Sequence, residues 1–245
     1  MVESKVLVGC PTADAYAYCL DEYAKRVNEL SYKNYDVLIV DNSKDDKYIE
    51  QIKRHGFNVL KGPCLDDVRE RVIYSRNMIR DYFLKNGYDY FLSLEQDVIP
   101  PKDVIERLIR HKKEAVSGVY YKHFHITYKY KGKPIKTSKK IMPLICTLLP
   151  GMEGTDKAHL CSTKDVEGDR FFQIRGAGLG CLLMHRSILE KIRFRTDIER
   201  GTFDDLCLSN DLYHNKIPMY VDTSVKCKHM ITKKYDRLFE NVTKP

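Results

Sequence analysis

Short apolar runs and helix-length amphipathic stretches alternate through the first half of the chain. Val6-Leu-Val-Gly9 is a short apolar run, and from Ala13 to Leu30 the positions Ala17, Leu20, Tyr23, Ala24 and Val27 recur at helical spacing. Tyr35–Val40 reads as a buried strand halted by Asp41-Asn-Ser, Lys47–His55 as a short helix, and Phe57–Leu60 as a third strand ended by Gly62-Pro63. Asp66–Leu84 is helical, with Gly87 as its stop. Tyr88–Leu94 is a fourth strand. Pro100-Pro101 opens another helix, since proline fits a first turn whose N–H groups lack partners, and Ala115–Tyr121 is a fifth strand.

This alternation predicts an α/β fold, with a mainly parallel central sheet covered by helices on both faces. The near-continuous apolar strands agree with a sheet buried on both sides. Ligands of such sheets bind beyond the carboxyl ends of the strands. The polar residues to examine are therefore Pro11-Thr12, Asp41-Asn42-Ser43 and Glu95-Gln96-Asp97. After residue 121 the pattern becomes irregular. A lysine-rich stretch with Gly132 and Pro134 as turn residues reads as a hairpin or loop. Gly176–Gly180 leads into the apolar Cys181–Met184 and a short helix from Ser187, Phe203–His214 is a helix, and Met219–Asp222 is a late strand followed by Val225–His229. With no repeat and no linker, the expectation is one domain over 1–245, its halves meeting near residue 121.

Composition adds limits. Apolar residues make up 43% of 245, enough for a sizeable core, and no apolar run reaches the length of a membrane-spanning helix. The first residues lack the apolar stretch of a secretory leader, so the expected location is cytoplasmic. The eight cysteines have no metal-site or redox-pair spacing and are expected to be reduced and mostly buried. The net charge of +8 is local. Lys122–Lys140 carries seven lysines and no acid, and removing those seven charges leaves +1. Nucleic-acid binders tend to spread such charge over a face or helix.

Several common site motifs are absent: no P-loop, no complete dinucleotide fingerprint at Gly176, no G-x-S-x-G elbow. Glu95-Gln96-Asp97 is the strongest local signal. Two carboxylates two apart at a strand end can share a Mg²⁺ or Mn²⁺ ion, or can simply be solvated. His123-x-His125 alternates within a basic strand and reads as a metal pair or as two surface histidines. Asp204-Asp205 opens an amphipathic helix, where acids favour the dipole; the pair reads as capping or as a general base with mutually perturbed carboxyls. His229 ends an alternating segment and reads as structural or as a metal ligand.

Taken in order, these segments resemble the GT-A glycosyltransferases, most closely the family-2-like group. The matching pieces are Pro11-Thr12; Val40-Asp41-Asn42-Ser43-Lys44-Asp45-Asp46; Ser75-Arg76-Asn77; Glu95-Gln96-Asp97 at the place of Asp-x-Asp; Val116–Tyr121; Gly176–Met184; Asp204-Asp205; and Tyr220–His229. The resemblance implies a Rossmann-like GT-A fold, with a nucleotide-sugar half over about 1–121 and an acceptor and catalytic half over about 122–245. It implies transfer of a sugar from a UDP- or GDP-sugar to an acceptor hydroxyl, metal-dependent through Mn²⁺ or Mg²⁺, with inversion at the anomeric carbon. Thr12 and Asp41 would line the base and ribose pocket, Arg76 would place the nucleotide and diphosphate, and Glu95 would hold the ribose or a metal-bound water. Asp97 and His229 would bind the metal, and Asp205, with Asp204 as alternate, would be the base. Two departures stand out: Glu95 replaces the first Asp of the motif, and Asp204 replaces a Glu. The acceptor is expected to be lipid-linked or anionic, with peripheral membrane contact through Lys122–Lys140. The competing readings are a basic nucleic-acid or membrane-binding module, which leaves the strand-end acids unexplained, and a GT-A fold without catalysis.

Overall fold

The computed structural model describes residues 3–130, 133–148, 151, 158–197 and 201–230. Eight strands form the central sheet: β1 (Val6–Thr12), β2 (Tyr35–Asp41), β3 (Asn58–Lys61), β4 (Tyr90–Leu94), β5 (Ala115–Val119), β6 (Phe171–Ile174), β7 (Cys181–His185) and β8 (Met219–Lys226). Their spatial order is β6-β8-β5-β7-β4-β1-β2-β3. Neighbours run parallel from β4 through β1 and β2 to β3, and again between β8 and β5. The exception is β7, which sits antiparallel between β4 and β5, while β6 is antiparallel to β8. The sheet is therefore mixed but mostly parallel, as expected. β7 arrives from the irregular half and fills the gap between two strands of the first half, and its apolar Cys181–Met184 run does not reveal its direction.

The two faces of the sheet carry separate cores, as period-two alternation requires. Val6, Val8, Cys10, Ile39, Leu92 and Leu94 face one side, with Leu20, Tyr23, Ala24 and Val27 of α1 (Leu20–Asn28), Tyr48 and Ile52 of α2 (Lys47–Arg54), and Val104, Ile105 and Leu108 of α4 (Val104–Ile109). Leu7, Leu38, Val40 and Phe91 face the other, with Ile79 and Phe83 of α3 (Val68–Lys85), Ile188 and Leu189 of α5 (Arg186–Lys191), and Leu208 and Leu212 of α6 (Asp204–His214). Helices on both faces match the expectation. The stretch expected as one helix from Ala13 is instead a 3₁₀ turn over Asp14–Cys19 that passes into α1.

α3 starts at Asp67, whose carboxylate accepts from the Arg69 and Glu70 amides at 2.7 and 3.3 Å, the usual N-cap device. Its sheet-facing residues, Arg76, Ile79 and Phe83, follow i, i+3, i+7 spacing, which turns Arg76 into the protein with the apolar stripe. At the carboxyl end of β4 the chain turns at Glu95 and continues as Val98-Ile99, which pairs antiparallel with Lys228-His229. This two-residue ladder brings the late part of the chain beside the acidic turn.

The lysine-rich stretch is an antiparallel hairpin, Tyr121–Tyr130 against Lys133–Pro143, so Pro134 lies within a strand and Gly132 lies outside the described residues. All eight cysteines are free; Cys64 is exposed and Cys146 half-buried, so these two depart from the expected burial. Among the described residues no helix is long and apolar enough to cross a membrane.

Candidate active site

Two adjoining cavities open at the carboxyl ends of β1, β2 and β4, where the α/β pattern places ligands. One, of about 330 Å³, lies between the β1 end and α3; Thr12, Tyr16, Asn42, Arg71 and Gln96 are among its walls. The other, of about 520 Å³, contains Tyr120, Lys122, Asp204, Asp205 and His229. Tyr16, Val72, Arg76, Glu95 and Asp97 line both, so the acidic turn is the partition of one continuous cleft.

The two acids of that turn have different partners. Asp97 Oδ2 lies 3.1 Å from His229 Nε2, and His229 Nδ1 lies 2.7 Å from the Tyr121 carbonyl oxygen. A carbonyl can only accept, so Nδ1 carries the proton and Nε2 is the nitrogen turned to Asp97. Burial alone would lower the His229 pKa, but the hydrogen bond and charge of Asp97 outweigh it, and the net shift is upward. The Tyr120 ring packs edge-on against His229 at 5.3 Å, and its hydroxyl accepts from the Gly180 amide. A Cβ at Gly178 would collide with that hydroxyl and with Leu144, so a glycine is needed for the close approach.

Glu95 instead faces Arg76. The buried guanidinium donates from Nη2 to Glu95 at 2.6 Å, from Nη1 to the Ser93 hydroxyl at 2.9 Å, and from Nε to Asp204 at 2.5 Å. Burying such a cation costs several kcal/mol, about what two carboxylates and three hydrogen bonds can offset. Arg76 is thus a strut between the acidic turn and the first turn of α6, with three of its five N–H donors used. The resemblance assigns Arg76 to the nucleotide and diphosphate; in the fold it lines both cavities while bracing the acidic turn against α6. Burial raises the Glu95 pKa although the Arg76 charge opposes it.

The same strut distinguishes the two aspartates of α6. Both line the cleft, but Asp204 is paired with Arg76, whereas one oxygen of Asp205 accepts from the Leu206 amide at 2.7 Å. Burial first, and the adjacent Asp204 charge second, raise the Asp205 pKa. Asp205 also borders a third cavity of about 260 Å³ that includes Cys146, Gly176, Leu206 and Ser209.

Thr12 lines the smaller cavity and donates to Gln96 Oε1 at 2.5 Å. Asp41 is fully buried beneath the cleft. It accepts from the Ser43 amide at 3.1 Å, from the Ser43 hydroxyl, and from Lys61 Nζ at 3.1 Å; its neighbour Asn42 is the residue that lines the cavity. Sequence reasoning passed over Gln96 as the spacer of an acidic motif. Its buried amide accepts from Thr12 and donates to the Tyr16 carbonyl at 2.8 Å, with Tyr48 Oη at 2.6 Å from Nε2, so it fastens the acidic turn to β1, the 3₁₀ turn and α2. Its only sequence signal was an amide at a strand end. Lys122, counted with the basic hairpin, lines the cleft at the hairpin's base.

The larger cavity's wall holds four carboxylates, Glu95, Asp97, Asp204 and Asp205, against two cations, Arg76 and Lys122. Among the described residues no three His, Cys, Asp or Glu side chains are arranged to hold a metal ion by themselves. Asp97 and His229 do offer one oxygen and one imidazole nitrogen within 3.1 Å of each other, on a wall with excess negative charge. That donor set fits a Mn²⁺ or Mg²⁺ ion whose remaining positions are filled by substrate phosphates and water.

No protein-family profile and no curated protein sequence matches the chain. Solved structures do. The mannosyltransferase PcManGT from Pyrobaculum calidifontis, solved with GDP-Man and Mn²⁺, superposes with a TM-score of 0.60 at 12% identity, over 98% of this chain and 61% of that one. TarS from S. aureus gives 0.55 at 14% identity, over 97% of this chain and 38% of that one; a shorter form of TarS was solved with UDP-GlcNAc. The chain has the GT-A fold. A197 from STIV matches at the margin, with a TM-score of 0.50, 16% identity, and 93% and 86% coverage. The chain spans about three fifths of the mannosyltransferase and under two fifths of TarS. At these identities the GT-A likeness concerns architecture, and the chemistry must be argued from the cleft.

Proposed function

We propose that this GT-A domain is a glycosyltransferase that moves a sugar from a nucleoside-diphosphate sugar to an acceptor hydroxyl with a divalent cation. One observation carries the reading: the Asp97–His229 pair and the carboxylate of Asp205 line one cleft at the carboxyl end of the sheet, braced by the Arg76 strut. An anionic donor cannot enter a wall with four carboxylates unless cations accompany it. The GDP-Man and UDP-GlcNAc bound by fold neighbours support a donor of this class.

Asp97 and His229 would hold the cation through Oδ2 and Nε2. The cation's contribution is electrostatic, offsetting charge on the departing diphosphate. Thr12, Asn42 and Tyr16 border the space for the nucleoside. Asp205 takes the proton from the acceptor hydroxyl as its oxygen attacks the anomeric carbon and the sugar–phosphate bond breaks; the nucleoside diphosphate leaves with the electron pair. Burial and Asp204 make Asp205 a stronger base than an ordinary aspartate, as this step needs. One displacement of this kind inverts the anomeric centre. Asp204, bound to Arg76, is the weaker candidate for the base.

Exposed Lys133, Lys136, Lys139 and Lys140 on the hairpin extend the reading to an anionic surface or a lipid-linked acceptor. A nucleic-acid module and an inactive GT-A fold are less well supported, because neither needs a buried aspartate in one cleft with an Asp–His pair.

Thermal shift against UDP, GDP and their sugars, with and without Mn²⁺, tests the proposal. A ligand at a hundredfold excess over Kd stabilises by about 2.7 kcal/mol. Stabilisation that requires both nucleotide and Mn²⁺ is expected; none with any nucleotide would overturn the proposal.

A further inference from the structure

Glu95 and Asp204 neutralise Arg76, which leaves its charge little use to an anionic donor. Arg71, on α3 one turn before Ser75, lines the smaller cavity together with Thr12, Asn42 and Glu95. Its backbone is fixed in the helix: its amide donates to the Asp67 carbonyl at 3.1 Å, and its carbonyl accepts from the Ser75 hydroxyl at 2.9 Å. The Nε atom is buried without a hydrogen-bond partner, and among the described residues no carboxylate forms an ion pair with the guanidinium. A buried, unpaired guanidinium nitrogen is costly unless something outside the protein completes it.

The geometry points to Arg71 as the residue that grips the diphosphate of the donor. This inference rests on the nucleoside-diphosphate reading above and deepens it. A guanidinium presents a planar fork of donors that matches phosphate oxygens two at a time, where an ammonium acts as a point charge. The surroundings favour phosphate as the partner. Glu95 and Asp97 form the partition beside Arg71, Arg76 is neutralised by two carboxylates, and Lys122 stands on the far side of the acids. Arg71 is then the donor-side cation still able to accept an anion. On this view two of the four arginines of α3 divide the work: Arg76 builds the wall and Arg71 binds what lies against it.

Isothermal titration of UDP, GDP, uridine and guanosine in the presence of Mn²⁺ tests this with the wild-type chain, Arg71→Gln and Arg71→Lys. Charge-assisted hydrogen bonds predict that Arg71→Gln weakens the preferred diphosphate by about tenfold or more. Nucleoside affinity should be unchanged, and Arg71→Lys should recover part of the loss. The ligand-free melting temperature should not fall in Arg71→Gln, because no protein group loses a partner. Unchanged diphosphate affinity in a folded Arg71→Gln chain would overturn the inference alone. An equal loss for nucleoside and diphosphate would overturn it in favour of a nucleobase contact. A wild-type chain that binds no nucleotide with Mn²⁺ would overturn both this inference and the transferase proposal.

Discussion

Asp97 and His229 lie 132 residues apart in sequence, yet their side chains meet at 3.1 Å because Val98-Ile99 pairs with Lys228-His229. The pairing also places the Met230 amide 2.6 Å from the Asp97 carbonyl oxygen. Backbone ladder bonds therefore hold the two residues side by side. Asp97→Ala should leave the fold intact and remove metal-dependent nucleotide binding. Loss of an outer-shell partner costs about 10–100-fold in metal affinity, and loss of a direct ligand should cost at least as much. Titration of UDP or GDP with Mn²⁺ checks this; unchanged affinity would place the cation elsewhere.

Asp205→Asn and Asp204→Asn should differ in kind. The Asp205 variant should bind donor normally and lose about 10²–10⁴-fold in kcat, the usual contribution of a general base. The Asp204 variant should instead lose stability, because it breaks a buried ion pair and leaves Arg76 with one carboxylate; such losses run to about 3–5 kcal/mol. Melting temperatures and kcat measured side by side separate the two. A kcat loss confined to Asp204→Asn, at unchanged stability, would exchange their roles.

The raised pKa of Asp205 has a visible sign in the pH profile. The base works only when deprotonated, so kcat should fall on the acid side through a pKa above the ordinary aspartate value of 3.8. The folded state also binds this proton more tightly than the unfolded chain, so ionised Asp205 is a destabilising group at neutral pH. Asp205→Asn should accordingly melt no lower than wild type at pH 7, and the difference should narrow as acid protonates the native carboxyl. An acid limb at the ordinary value would count against the desolvated base.

Asp222 behaves in the opposite sense and lies away from the cleft. Burial pushes its pKa up, but hydrogen bonds from His111 and Ser224 more than offset this, and the net shift is downward. A depressed carboxyl pKa contributes stability above the unfolded value and loses it as pH falls through the folded value. Asp222→Asn should therefore destabilise the protein at pH 7, and the gap should close as pH falls below the depressed folded-state value of Asp222. Urea unfolding at several pH values tests it; a gap that persists in strong acid would show that packing, not charge, is responsible.

Lys133→Gln combined with Lys136→Gln should weaken binding to anionic lipid vesicles without changing donor affinity. Each lysine near such a surface contributes about 1 kcal/mol, so the pair should cost roughly tenfold or more. Both side chains are exposed on the second hairpin strand, whereas Lys122 at the base is the lysine that lines the cleft. A sedimentation assay with phosphatidylserine vesicles measures the first effect, and titration with nucleotide and Mn²⁺ the second. Equal vesicle binding by variant and wild type would leave the hairpin without a membrane role.

The sequence determined much of this protein by local pattern. Alternating apolar runs specified β1 to β5, helical spacing specified α3 and α6, and polar residues at strand ends marked the cleft. Those features depend on neighbours within a few residues, where periodicity and turn chemistry act. Tertiary structure decided what long-range pairing controls. β7 could be recognised as a strand, but its antiparallel place between β4 and β5 depends on partners that its own residues do not encode. Arg76, Glu95 and Asp204 each looked like a ligand-facing charge; only their convergence, across as many as 128 residues, shows that they satisfy one another. Arg71 was inconspicuous as one of several charged residues on α3, and its unpaired guanidinium becomes evident only once packing has assigned every other partner. A charged side chain's role is set by which opposite charges surround it in space, and that is a property of the folded chain.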